Sequence, residues 1–184
     1  LFDGQLMRQV TGWMDLGVAV KLHRRRYDVT GESNTGYREI STGPVAEIHW
    51  RGLLQTLRYE WTAREHREDS GQSGFDKSIG DFDDHRLALD LWWDIHDNFQ
   101  VTCGLQQQWR WYRHGQTGEY EFYLPDYHPV SNFSRSSVSA GFEYEPATGI
   151  TLSTSVYYSD EQHTRFEDND LEEMTVFLEV EVEF

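Results

Sequence analysis

Cysteine is almost missing from these 184 residues; Cys103 is the single instance. One thiol excludes an internal disulfide framework and any zinc site built on cysteines, and Cys103 reads as a small apolar residue in a strand. Cations are scarce as well: 16 Lys and Arg stand against 32 Asp and Glu, for a formal net charge of −16. A nucleic-acid groove carries the opposite sign, so no nucleic acid is expected as a partner. The cluster Arg24, Arg25, Arg26 is the local exception, available for phosphates. No apolar run reaches the roughly 18 residues of a transmembrane helix. No basic-then-apolar leader stands at Leu1 either, so the expectation is a mature or trimmed chain, or the C-terminal membrane domain of a longer one.

What the chain does have is aromatic residues, 15% of the total. Disordered segments lack these. A membrane β-barrel needs them, because Trp and Tyr gather at the two membrane interfaces while only alternate strand residues face lipid.

Period-two alternation recurs along the chain. Met14, Leu16, Val18, Val20 and Leu22 oppose Asp15, Gly17, Ala19, Lys21 and His23. Ile40, Ala46, Ile48 and Trp50 oppose Glu39, Glu47, His49 and Arg51, with Pro44 marking a bulge or irregular entry. Further segments start at Leu57, Arg86, Phe99, Ser137 and Ile150, and the last runs from Met174 to Phe184. The expected fold is all-β: an antiparallel up-and-down transmembrane barrel of eight strands, forming one domain over residues 1–184. A ten-stranded barrel is the alternative, because Glu119 to Leu124 also alternates.

Long and short connections alternate strictly. Short links fall near Gly52 to Leu54, at His96-Asp97-Asn98 and at Pro146-Ala147-Thr148-Gly149; polar stretches near 24–38, 65–84, 113–131 and 160–171 are long. All long loops, and none of the turns or termini, are thereby expected at one end, as in barrels with short periplasmic turns and long extracellular loops.

The polar sides collect Asp15, Lys21, Glu47, Arg51, Arg58, Glu60, Arg86, Asp90, Arg110 and Glu143, with both signs mixed. Facing lipid, each Arg or Lys at mid-depth costs about 2–4 kcal/mol, which a net stability of about 5–15 kcal/mol cannot absorb repeatedly. These residues are therefore expected inside, as a paired charge network filling a lumen that eight strands leave only wide enough for side chains. A soluble lipocalin-like calyx would reverse the faces. Gly12-Trp13 is misplaced for it, and no closing helix or disulfide is visible.

The final segment, Met174-Thr-Val-Phe-Leu-Glu-Val-Glu-Val-Glu-Phe184, resembles the terminal strand of small bacterial outer-membrane β-barrel proteins. That resemblance implies a Gram-negative outer membrane, with Phe184 as the signal read by the assembly machinery. It also implies contact with outer-membrane lipids and lipopolysaccharide. The function expected is structural, anchoring or binding of a protein partner, by a barrel that is no general porin and needs no cofactor or metal.

A second resemblance concerns the loops. Asp81-Phe82-Asp83-Asp84-His85 and Asp160-Glu161-Gln162-His163 are similar to the acidic and Asp/His pairs facing each other across the mouth of omptin outer-membrane proteases. It implies Asp81, Asp83, Asp160 and His163 as catalytic candidates, with the His and a carboxylate activating water. Lipid-modifying barrels form the other enzymatic class; Ser134, Ser136 and Ser137 stand near the top of the sixth expected strand, with no His-x-Ser-type motif beside them. Asp126 and His128 are two metal-type ligands in one loop. A narrow channel through the charge network is the remaining alternative.

Overall fold

The computed structural model describes residues 2–25, 37–66, 81–113, 132–164 and 170–182. Among these residues there is no helix. Nine strands follow one another as β1 (Phe2–Thr11), β2 (Met14–Arg25), β3 (Tyr37–Trp50), β4 (Leu53–His66), β5 (Phe82–His96), β6 (Phe99–Tyr112), β7 (Phe133–Ala147), β8 (Ile150–His163) and β9 (Leu171–Val182). Each pairs antiparallel with the next, in a single sheet ordered β1 to β9. The up-and-down antiparallel fold is as expected. The count is not: eight strands become nine.

The additional strand is β1. Its outward positions, Phe2, Gly4, Leu6, Arg8 and Val10, are interrupted by Gly4 and Arg8, so the apolar period is broken although the backbone period is intact. With β1 in place, Phe2 lies at the long-loop end, not at the turn end. The stretch from Glu119 to Leu124, on which a ten-stranded count rests, lies outside the described residues, as do Asp126, His128, Arg26 and Phe184.

Every short link is a two-residue turn: Gly12-Trp13, Arg51-Gly52, Asp97-Asn98 and Thr148-Gly149. Arg51 and Gly52 have φ of 46° and 79°, the paired positive values of the hairpin turn whose twist matches its strands. Neighbouring turns are tied together as well: Asp94 N donates to Gly52 O at 2.9 Å, and Glu145 N to Asn98 O at 3.0 Å.

Pro44 does not open a strand. It lies within β3 opposite Val18. The β3–β4 ladder passes over Gly43 and Pro44 without losing register, resuming from Thr42↔Trp61 to Val45↔Arg58. Proline has no N–H to donate, and Gly43 is there because a Cβ would collide with the Tyr59 carbonyl.

Register sorts the side chains into two faces. One carries Leu6, Leu16, Val18, Leu57, Leu87, Leu105, Val138, Val156, Val176 and Leu178, all exposed. Aromatics border this apolar band: Trp50, Trp93, Phe142 and Tyr144 toward the turns, Tyr59, Trp111 and Tyr158 toward the loops. The opposite face holds the buried residues, which are mostly polar: Ser41, Thr56, Asp84, Gln108, Ser137, Ser159 and Glu161, with Val45, Phe82 and Phe133. Crowding on the polar face and openness on the apolar one indicate a sheet curled toward its polar side. Apolar side chains outward and charges inward is the order a bilayer requires.

Candidate functional site

The polar face is organised in three tiers. Nearest the loops runs a belt of alternating arginines and aromatic rings. Arg64 on β4 lies over Tyr37 (4.5 Å) and Phe82 (4.7 Å); Arg110 on β6 lies over Phe82 (4.1 Å) and Phe133 (5.1 Å); Arg135 on β7 lies near Phe133 (5.7 Å). These are cation–π distances, so Phe82 and Phe133 are each flanked by two guanidinium groups. The register makes this possible, because Arg64↔Phe82 and Arg110↔Phe133 are directly opposed pairs.

Each arginine also has its own carboxylate. Arg64 Nη2 donates to Glu39 Oε2 at 2.7 Å, and Arg110 Nη2 to Asp84 Oδ2 at 2.7 Å, where Gln108 Nε2 donates as well at 2.6 Å. Arg135 Nε donates to Glu161 Oε2 at 2.6 Å, and His163 Nε2 lies 2.8 Å from Glu161 Oε1. The belt thus spans β3 to β8 with its charges neutralised in place. Charge-assisted bonds of this kind are short and orient both partners.

The middle tier is a concavity of about 230 Å³ bounded by Lys21, Arg58, Glu60, Arg86, Asp90 and Tyr157, among others. Lys21 Nζ lies 3.3 Å from Glu60 Oε2, and Arg86 Nη1 lies 4.0 Å from Glu60 Oε1. Three cations here meet two carboxylates, a local positive excess in an acidic chain. At the turn end, Asp15, Glu47 and His49 form the third tier. Glu143, at the same end of the sheet but on β7, lines a separate concavity with Asp94 and Glu145.

Of the ten charges expected inside, nine occupy this face, and Lys21, Glu60 and Arg86 are brought together. Arg51 is the exception: it stands in the β3–β4 turn, with its guanidinium 5.8 Å from the Trp50 ring. Arg110 finds its partner in Asp84, which the sequence placed in a loop.

The catalytic candidates are distributed differently from the loop pairs envisaged. Asp83 belongs to β5, and Asp160 and His163 belong to β8, so these three are strand residues; Asp81 is buried just before β5. Strands β6 and β7 stand between the two groups, about 14 Å at the usual strand spacing. Asp160 and His163 lie on opposite faces of β8, since His163 packs on Phe133 (5.6 Å) and bonds Glu161. Asp83 is held by Arg113, through Nε at 2.8 Å and Nη2 at 2.8 Å. That pair lies on the loop side of the apolar band, and the Arg113 bond keeps the Asp83 carboxyl below its usual range. Among the serines, Ser134 and Ser136 are on the outward face and Ser137 is buried on the polar one.

The belt members that lie outside the alternating segments of the sequence are Tyr37, Phe82, Asp84, Phe133, Arg135 and Glu161; Glu39 is within one, and only its pairing with Arg64 is new. Beyond the apolar band, toward the loops, both faces are polar, so no apolar alternation announces the strands there. The available signal was that Phe82, Asp84 and Arg86 continue in phase with Ala88 and Asp90.

No family model and no curated protein matches this chain. Two solved structures do. The first, described as outer-membrane expressed OmpT of Vibrio cholerae, superposes with a TM-score of 0.59 at 10% identity, over 97% of this chain and 52% of that one. The second is the in-vitro folded, trimer form of the same outer-membrane protein, with a TM-score of 0.56 at 10% identity and the same coverage. The fold is that of an outer-membrane β-barrel. At this identity the likeness speaks to the fold alone, and the chain spans about half the length of the structures it matches.

Proposed function

We propose that this sheet is part of the wall of a wide bacterial outer-membrane β-barrel, and that the barrel passes small polar solutes through a water-filled interior. One observation carries the reading: nine strands with a charged inner face do not close, yet match about half of a longer outer-membrane barrel. The expected packed lumen depended on closure at eight strands. Barrels of about 16–18 strands leave an aqueous channel instead, and the mixed charges of the inner face suit such a lining.

Parity supports additional strands. Because nine is odd, β1 and β9 run in the same direction, and joining them would create a parallel seam. Bacterial single-chain barrels have an even number of antiparallel strands. An odd number of further strands joins both edges antiparallel.

The outer membrane is the proposed location, with the two-residue turns in the periplasm and the long connections outside. Lipopolysaccharide would border the loop-end aromatics, and the assembly machinery would read the segment from Met174 to Phe184, which resembles a terminal strand. The test is single-channel recording of the detergent-purified barrel in planar bilayers. Stepwise conductance is expected. A folded, heat-modifiable barrel that conducts nothing would overturn the channel reading in favour of anchoring or partner binding. A protein extracted without detergent would overturn both.

A further inference from the structure

At the turn end of the polar face three ligand-type side chains converge on two strands. Asp15 on β2 and Glu47 on β3 are directly opposed in the ladder. His49 follows Glu47 by two residues and so shares its face. Oxygen and nitrogen ligand atoms of all three lie within 4.8 Å of one another. His49 Nε2 is 3.2 Å from Asp15 Oδ2 and 4.0 Å from Glu47 Oε2. We propose that Asp15, Glu47 and His49 bind a divalent transition-metal ion of the zinc class at the turn-end rim of the sheet.

Three arguments meet here. Like charges placed directly opposite across two strands repel, and a cation between Asp15 and Glu47 removes that repulsion. One imidazole nitrogen with two carboxylate oxygens is a donor set suited to Zn²⁺; Ca²⁺ takes six to eight oxygens. The ligands also stand on paired strands, not on a loop. The ladder sets their spacing, and the backbone bond from His49 N to Trp13 O (2.9 Å) ties β3 to the first turn. His49 is about half exposed, so an ion can enter from the aqueous side and water can complete its coordination. Gln9, opposite Asp15 on β1, belongs to the same face. The site is at the other end of the strands from the arginine belt, and it stands whether or not the barrel conducts.

The experiment uses the tag-free purified barrel in detergent, stripped with a chelator and titrated with Zn²⁺ in a calorimeter. One saturable site is expected. His49→Ala and Asp15→Asn should each raise Kd by about tenfold or more, while His96→Ala, at another turn-end histidine, should leave it unchanged. Heat-modifiable migration of each variant shows that the barrel is still folded. Co²⁺ gives a second measurement: a visible absorption band of low-coordinate cobalt, lost in His49→Ala. Absence of saturable binding overturns the site, and so does binding that folded His49→Ala retains. Either result would leave His49 as a bridge in a plain ion-pair cluster.

Discussion

At the residue scale, single positions set the paths of strands and turns. Gly43 allows β3 to approach the Tyr59 carbonyl beside Pro44, where the ladder bonds are interrupted. Gly43→Ala places a methyl against backbone that cannot rotate away. A loss of about 1–3 kcal/mol is expected, read as a lower urea midpoint of the barrel in detergent. Asp83 shows a different dependence. Its carboxyl is held below the ordinary range by the hydrogen bonds from Arg113, opposed by partial burial. A carboxyl depressed in the folded state stabilises above its unfolded value, about pH 4, and loses that contribution as pH falls through the folded value. Acid should therefore loosen the β5–β6 loop end before the rest of the sheet. Hydrogen exchange at Arg113 and Tyr112, followed as pH is lowered progressively below about 4, tests this, and Asp83→Asn should show the looser pattern already at pH 7.

At the scale of elements, the belt joins neighbouring strands through side chains as well as backbone. The Asp84 side chain is only 5% exposed and depends on Arg110 and Gln108. Arg110→Ala would leave a buried carboxylate without its cation, a situation that costs about 3–5 kcal/mol. Arg135→Ala should cost less, because His163 still reaches Glu161. Equilibrium unfolding of the two variants tests the ranking; equal losses would show that the belt is not carried by the Asp84 pair. The two faces give a second comparison, using adjacent residues on β6. Leu105 faces outward and Gln106 lines the central concavity. Leu105→Arg should cost about 2–4 kcal/mol in a bilayer. Gln106→Arg should be tolerated and shift the reversal potential of the channel toward anions. A reversed order of stabilities would invert the assignment of faces.

For the whole molecule, shape is decided at the two edges of the sheet. Among the described residues, β1 pairs only with β2 and β9 only with β8. Both edge strands carry apolar outward residues, with Leu6 and Leu178 each 80% exposed. In a Cys103→Ser background, cysteines at Leu6 and Val18, which are opposed across β1 and β2, should cross-link under oxidation. Cysteines at Leu6 and Leu178 should not, if the proposed further strands separate them. Quantitative cross-linking of that second pair within a monomer would mean that nine strands close on themselves, and the wide-channel reading would fail.

Much of the fold was legible in residue order. Alternation in β2, β5, β6 and β9 located the strands, since a bilayer forces apolar residues onto one face and a strand repeats every two. The equally strict alternation of long and short links marked the two ends. Less of the site was legible. Asp84 and Glu161 look like loop acids, because the strands carrying them continue where both faces are wet and no hydrophobic period remains. β1 was hidden for a related reason, its apolar phase broken by Gly4 and Arg8. The sequence by itself determined that this is an antiparallel sheet with its charges on one side. Only the tertiary structure decided which arginine meets which carboxylate and ring, and that nine strands leave both edges open. Pairing across strands depends on register, and closure depends on strand number and direction; neither quantity is written in the alternation of any single segment.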